Sequence, residues 1–93
     1  MPSVARVGVD KVGGIVTGGV ITGPGKPTVR INGSPVSVIG DNVAPHGAGP
    51  HANATIVQGS STVFAGGIGI ARLGDLASCG HTVDSGSPNV SAG

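Results

Sequence analysis

The only cysteine and all three histidines of this 93-residue chain fall between positions 46 and 81. His46 and His51 come first, and Cys79 and His81 follow with Gly80 between them. One thiolate and three imidazoles form a complete ligand set for one tetrahedral zinc ion, with no position left for water. The residue types therefore predict a structural zinc site rather than a catalytic one.

A simpler interpretation is that three surface histidines and one small buried cysteine share no role. The spacing His-x₄-His followed by Cys-x-His is not a zinc-finger pattern. Composition favours the metal, because the chain has no Trp, no Tyr and a single Phe, Phe64, and so has little material for a core. Small domains of this kind recruit a metal, disulfides or a partner, and one cysteine cannot form an internal disulfide.

Composition also predicts the fold class. The chain has 19 Gly and 7 Pro, which interrupt every stretch long enough for a helix. Only 10% of the residues are charged, and Val and Ile alternate with polar residues as they do in strands. We therefore expect residues 1–93 to form a single small all-β domain with many tight turns.

Several function classes are disfavoured by the sequence. A net charge of +1 without a basic stripe gives no case for nucleic-acid binding. No apolar run is long enough to span a membrane, and residues 1–6 lack the apolar region of a signal peptide, so we expect synthesis in the cytoplasm. The chain contains no Glu, and its four Asp residues are predicted to close turns through backbone N–H groups rather than to catalyse a reaction.

The sequence repeats with a period of 34 residues. Residues 28–41 match residues 62–75 without a gap, and Thr, Val, two Gly and one Asp recur at identical offsets. Each copy reads as strand, glycine turn and strand, which predicts a β-hairpin with Asn32-Gly33 or Gly66-Gly67 at the bend. Arg72 and its counterpart Arg6 are expected to face solvent or a turn carbonyl.

A third copy is divided between the two ends of the chain. Residues 88–93 match the first strand of a repeat, and residues 4–8 match the return strand around Ile70 to Gly74. We therefore predict that the termini lie side by side, complete a third hairpin and give the chain pseudo-threefold symmetry.

The candidate ligands lie in segments that leave equivalent repeat positions. Residues 42–54 follow Asp41, and residues 76–87 follow Asp75. Threefold symmetry would bring both segments to the same end of the domain, where the four ligands could meet. The remaining segment, residues 11–23, contains a predicted turn at Gly13-Gly14.

The repeat units resemble the PAAR-repeat family, named after the string Pro-Ala-Ala-Arg. The resemblance is carried by residues 5–8, by residues 70–75 and by the Thr-Val-x-x-x-Gly hairpins, although the literal string is absent and residues 36–39 read Val-Ser-Val-Ile. It implies a small conical pseudo-threefold domain of β-hairpins with one zinc near the apex, bound by His46, His51, Cys79 and His81.

The resemblance also implies a mechanical function. Such domains cap the trimeric spike of the valine-glycine repeat type in type VI secretion systems, one tip per trimer, and sharpen it for puncturing a target envelope. On this basis the protein would leave the cell on the spike, possible effectors would be further partners, and no enzyme activity is expected. The sequence leaves open a phage tail spike tip and a stand-alone zinc-binding β module, and it disfavours a zinc hydrolase.

Overall fold

The computed structural model describes residues 2–13 and 18–93 of the chain. Seven short strands follow in chain order, together with one 3₁₀ turn at Gly49–Ala52. The strands are β1 (Lys11–Val12), β2 (Gly19–Gly23), β3 (Lys26–Ile31), β4 (Ser34–Val36), β5 (Asn42–Val43), β6 (Phe64–Ala65) and β7 (Ile68–Gly69). The described residues contain no α-helix, so the predicted all-β class is confirmed. Gly14, half of the predicted turn at Gly13-Gly14, lies outside them.

Both predicted hairpins form at the predicted turns. Strands β3 and β4 pair antiparallel around Asn32-Gly33, and β6 pairs with β7 around Gly66-Gly67. The φ angles are 55° and 85° in the first turn and 58° and 80° in the second. Positive φ at both central residues is the requirement of a type I′ hairpin turn, which Asn-Gly and Gly-Gly meet at the lowest steric cost.

Three chain segments meet in a closed ring of backbone hydrogen bonds. Ala5 donates to Ala71, Ala71 to Ser37 and Ser37 to Ala5, at N···O distances of 2.9, 2.8 and 3.0 Å. All three residues are fully buried. We call them the central ring. Each member occupies the same position of its repeat, so the ring relates the three repeats by pseudo-threefold symmetry.

The backbone around the central ring repeats with the same symmetry. Three further bonds join equivalent N–H and C=O groups two residues outside the ring. They run from Val7 to Pro35, from Ile39 to Gly69 and from Leu73 to Ser3. Buried backbone groups must be paired, and a cyclic arrangement pairs them without leaving a free strand edge.

The segments nearest the two termini lie beside each other. Ser3 forms an antiparallel bridge with Ser91, and the Val4 N–H donates to the Val90 carbonyl at 2.9 Å. The Ala92 N–H donates to Pro2 at 3.0 Å. These contacts pair residues 2–4 with residues 90–92.

Two apolar clusters divide the molecule, which measures 32 × 23 × 21 Å. The loop half is built on Ala5, Val12, Ile21, Val43, Ala54, Ile56, Ala71, Ala77 and Val83, with Cys79 packed against it. The hairpin half is built on Val4, Val36, Val38, Ala65, Ile70 and Ala92. Since nearly all members are Val, Ile or Ala, each cluster buries little apolar area, and hydrogen bonds or a metal must supplement it.

Three of the four acidic residues close turns, as predicted. Asp10, Asp41 and Asp75 are buried, and each accepts a bond from a backbone N–H three or four residues earlier. The prediction that Arg6 and Arg72 face solvent or a turn carbonyl is wrong, because the main contacts of both guanidinium groups are with carboxylates. They form two-pronged ion pairs with Asp10 and Asp75, because a buried carboxylate needs more donors than one N–H supplies.

These hydrogen bonds raise the pKa of both arginines above the ordinary value. Asp41 has no arginine partner in the described part of the chain. Its carboxylate accepts bonds from the Ser37 hydroxyl and from the N–H groups of Gly25 and Val38. The middle repeat therefore replaces a guanidinium with a hydroxyl and an extra backbone donor.

Candidate metal centre

His46 and His51 are presented by one long loop that folds back on itself. The loop leaves strand β5, and the Ala44 N–H donates to Val20 of strand β2 at 2.8 Å. The 3₁₀ turn Gly49–Ala52 then reverses the chain, so that the His46 N–H donates to the His51 carbonyl at 3.1 Å. Pro50 at the start of the turn fixes its backbone, which brings the two imidazoles to the same side.

Cys79 and His81 are presented by a tight turn in the next repeat. Leu76 and Thr82 form an antiparallel bridge, and the Ala77 N–H donates to the His81 carbonyl at 2.8 Å. Gly80 stands between the two ligands with a φ of 90°. Both side chains consequently lie at the end of the turn that faces His46.

The four predicted ligands come together, although up to 35 residues separate them in sequence. Their nearest nitrogen and sulfur atoms all lie within 4.8 Å of one another, and all four residues are half-buried. The expectation that the two ligand loops meet at one end of the domain is confirmed. The group could hold a metal ion.

Two of the separations between ligand atoms are close to those around a tetrahedral ion. His46 Nε2 lies 3.3 Å from His81 Nδ1 and 3.5 Å from Cys79 Sγ. With Zn–N bonds of about 2.1 Å and a Zn–S bond of about 2.3 Å, tetrahedral geometry sets N···N at about 3.4 Å and N···S at about 3.6 Å. The two observed distances are therefore those expected of atoms that share one ion.

The protonation pattern of His46 is set by the backbone. Its Nδ1 lies 3.0 Å from the Ala44 carbonyl oxygen, which can only accept a hydrogen bond. The proton is therefore on Nδ1, and the lone pair of Nε2 faces Cys79 and His81. A carbonyl that orients the ring in this way is the usual outer partner of a metal-bound histidine.

His51 completes the group with an atom that lacks a hydrogen bond. Its Nδ1 is buried and has no partner, and it is the one such side-chain atom among the described residues. The ring stacks on His81 at a centroid distance of 4.5 Å. Burial lowers the pKa of His51, and neighbouring His81 and His46 lower it further. A neutral imidazole with an unpaired buried nitrogen is the form that binds metal.

Two glycines that sequence reasoning missed make room for the imidazoles. A side chain at Gly13 would lie 2.5 Å from His81 Nδ1, and one at Gly19 would lie 2.2 Å from the Ala44 oxygen and 2.9 Å from His46 Nδ1. Gly13 and Gly19, from the segment of residues 11–23, thus border the site. The sequence shows that glycines cluster near positions 13 and 19, but it does not show that they contact His81 and His46.

The arrangement is suited to holding an ion. Four side chains match the number of ligands in a tetrahedral shell, and all of them offer nitrogen or sulfur. No pocket is found in the part of the chain that the structure describes. No helix among residues 2–13 and 18–93 is long and apolar enough to cross a bilayer.

Comparison with known proteins supports this picture at the level of the family. A search of curated proteins gave no significant match. The family model described as the PAAR motif matches residues 15–92, which is most of the chain and includes all four members of the metal group. The chain belongs to the PAAR-motif family.

Proposed function

We propose that the protein is the zinc-stabilised tip of the spike of a type VI secretion system, where it caps and sharpens the spike for puncturing a target envelope. His46, His51, Cys79 and His81 are its zinc ligands in this proposal. Residues 1–93 act as one PAAR domain whose third hairpin is formed by both termini. The tip leaves the producing cell on the spike and does not act as an enzyme.

The central ring carries the proposal. Three non-identical segments of one chain make the same backbone contacts around one axis, so a monomer presents threefold geometry. A monomer of this kind can match the end of a trimeric β-helical spike of the valine-glycine repeat type and cover its strand edges. One tip per trimer follows from this match, and effectors would attach as further partners.

The metal group supports the mechanical part of the proposal. The loop half is too poor in large apolar residues to hold its loops together by packing alone. A structural zinc contributes on the order of 10 kcal/mol to folding, which is comparable with the whole stability of a small domain. A compact metal-held end is suited to carrying force through a membrane.

The test is assembly with a spike trimer. The zinc-loaded protein is mixed with valine-glycine repeat spikes from the same genome, and native mass spectrometry determines the stoichiometry. One copy of this chain per three spike chains is the expected result. Binding to spikes of contractile phage tails alone would favour the phage alternative, and binding to neither class would leave a stand-alone zinc module.

A further inference from the structure

The three hairpins carry different side chains at one equivalent position. Arg30 pairs with Pro35, Phe64 pairs with Gly69, and Ser91 pairs with Ser3. The residues opposite them, at positions 35, 69 and 3, accept the three equivalent backbone bonds around the central ring. The pseudo-threefold rotation therefore brings a cation, an aromatic ring and a hydroxyl group to the same place.

Phe64 is the most prominent of these side chains. It is 56% exposed, whereas its neighbour Ala65 is 2% exposed and belongs to the core of the hairpin half. Successive strand residues point to opposite faces, so Phe64 faces away from the core. Aromatic residues are enriched at protein interfaces.

The charge of the hairpin half is positive. Arg30 is exposed and donates to the Gly33 carbonyl of its own turn at 2.9 Å. In the described chain neither Arg30 nor Lys26 forms an ion pair with a carboxylate. No acidic residue lies within residues 26–40 or 58–74. A partner of this surface is complementary if it offers carboxylates near an apolar area.

We propose that Phe64, Arg30 and Ser91 are unequal anchors on three identical partner sites, an inference that rests on the proposed function. A homotrimeric spike offers the same site three times, so each site must accept an aromatic ring, a guanidinium or a hydroxyl. An apolar patch bordered by a carboxylate on each spike chain can accept all three side chains. Phe64 covers the patch of its site, Arg30 pairs with the carboxylate of its site, and Ser91 leaves the patch of its site uncovered.

The experiment measures the affinity of the zinc-loaded full chain for valine-glycine repeat spike trimers of the same genome. Phe64→Ala is expected to raise Kd by ~10- to 100-fold, as removal of a central aromatic anchor does. Arg30→Ala should raise Kd by about 5-fold and flatten its dependence on salt. Ser91→Phe should lower Kd by about 10-fold, because the new ring covers the apolar patch that Ser91 leaves uncovered.

Leu76→Ala is the matched control, since Leu76 is 41% exposed but lies in the loop half. Its Kd should equal that of the wild type. Zinc content and melting temperature verify that each variant is folded, which is expected because Phe64, Arg30 and Ser91 are exposed.

A wild-type chain that binds a spike while Phe64→Ala binds equally well overturns the inference and leaves the proposed function intact. Weaker binding by a folded Ser91→Phe variant also overturns it, because identical sites must accept the same side chain. If the wild type binds no spike of the genome, the proposed function fails and the inference fails with it.

Discussion

In the metal group, two loops are brought together by side chains, whereas in the central ring three segments are joined by backbone groups. His46 Nε2 lies within 3.5 Å of both Cys79 and His81, and replacing any of these residues removes a candidate ligand. In the central ring, the N–H and C=O groups belong to Ala5, Ser37 and Ala71, and any non-proline residue small enough to fit could supply them.

The comparison teaches where sequence can vary in such a domain. The central ring keeps its symmetry although one member is Ser37 and the other two are Ala, because its hydrogen bonds do not involve side chains. A ligand cluster depends on residue type, and the three loops of the loop half accordingly differ in length and content. The metal group and the central ring should therefore respond differently to metal removal and to core substitution.

Metal removal is expected to have the largest effect. Excess chelator, or Cys79→Ser, should abolish cooperative unfolding or lower the melting temperature sharply, because zinc contributes on the order of 10 kcal/mol. Circular dichroism melts together with elemental analysis check this outcome. Unchanged melting in chelator, with no metal detected, would remove the distinction between the metal group and the central ring.

Overpacking of the central ring should come next. Ala71 is fully buried, and Ala71→Leu should destabilise the protein by about 1–3 kcal/mol, because the surrounding backbone ring cannot move apart. Chemical denaturation measures the loss, and the zinc content should stay at one ion per chain. Ala48→Leu in the exposed part of the histidine loop is the control and should leave stability nearly unchanged.

Loss of an arginine–aspartate pair should have a smaller effect that is specific to its repeat. Arg72→Met leaves the buried Asp75 carboxylate with its backbone donor but without its cation, which we expect to cost about 2 kcal/mol. Arg30→Met, at an exposed arginine without an ion pair in the described chain, is the control. Equal stabilities of the two variants in denaturant titrations would contradict a role for the pair.

The smallest predicted effect is the pH dependence contributed by His51. Its pKa is lowered in the folded protein, so the unfolded chain takes up a proton first, at a pH of about 6.5. The contribution of His51 to the free energy of unfolding is therefore complete above that pH and is lost as the pH falls below it. Denaturation of the metal-free protein between pH 8 and pH 5.5 should show the decline, and His51→Asn should flatten it. A steeper decline of stability with falling pH in His51→Asn would contradict the assignment of this pH dependence to His51.

Local features were predictable because their causes are local. Asn32-Gly33 and Gly66-Gly67 determine hairpin turns through their own φ preferences, and the 34-residue repeat predicted that the loops after Asp41 and Asp75 would meet. The pairing of Arg6 with Asp10 was missed because the sequence does not show that the carboxylate is buried. The part played by Gly13 and Gly19 was missed because it depends on rings that lie far away in the chain.

The amino-acid sequence by itself determined the strand class, the two hairpin turns and the residues that could bind a metal. Only the tertiary structure decided that His46 Nε2 faces Cys79 and His81, that the Ala44 carbonyl fixes its proton, and that Phe64 is left exposed. The physical reason is that residue type fixes local backbone preference and ligand chemistry. Distances between side chains 30 residues apart depend on how the three repeats close around the central ring.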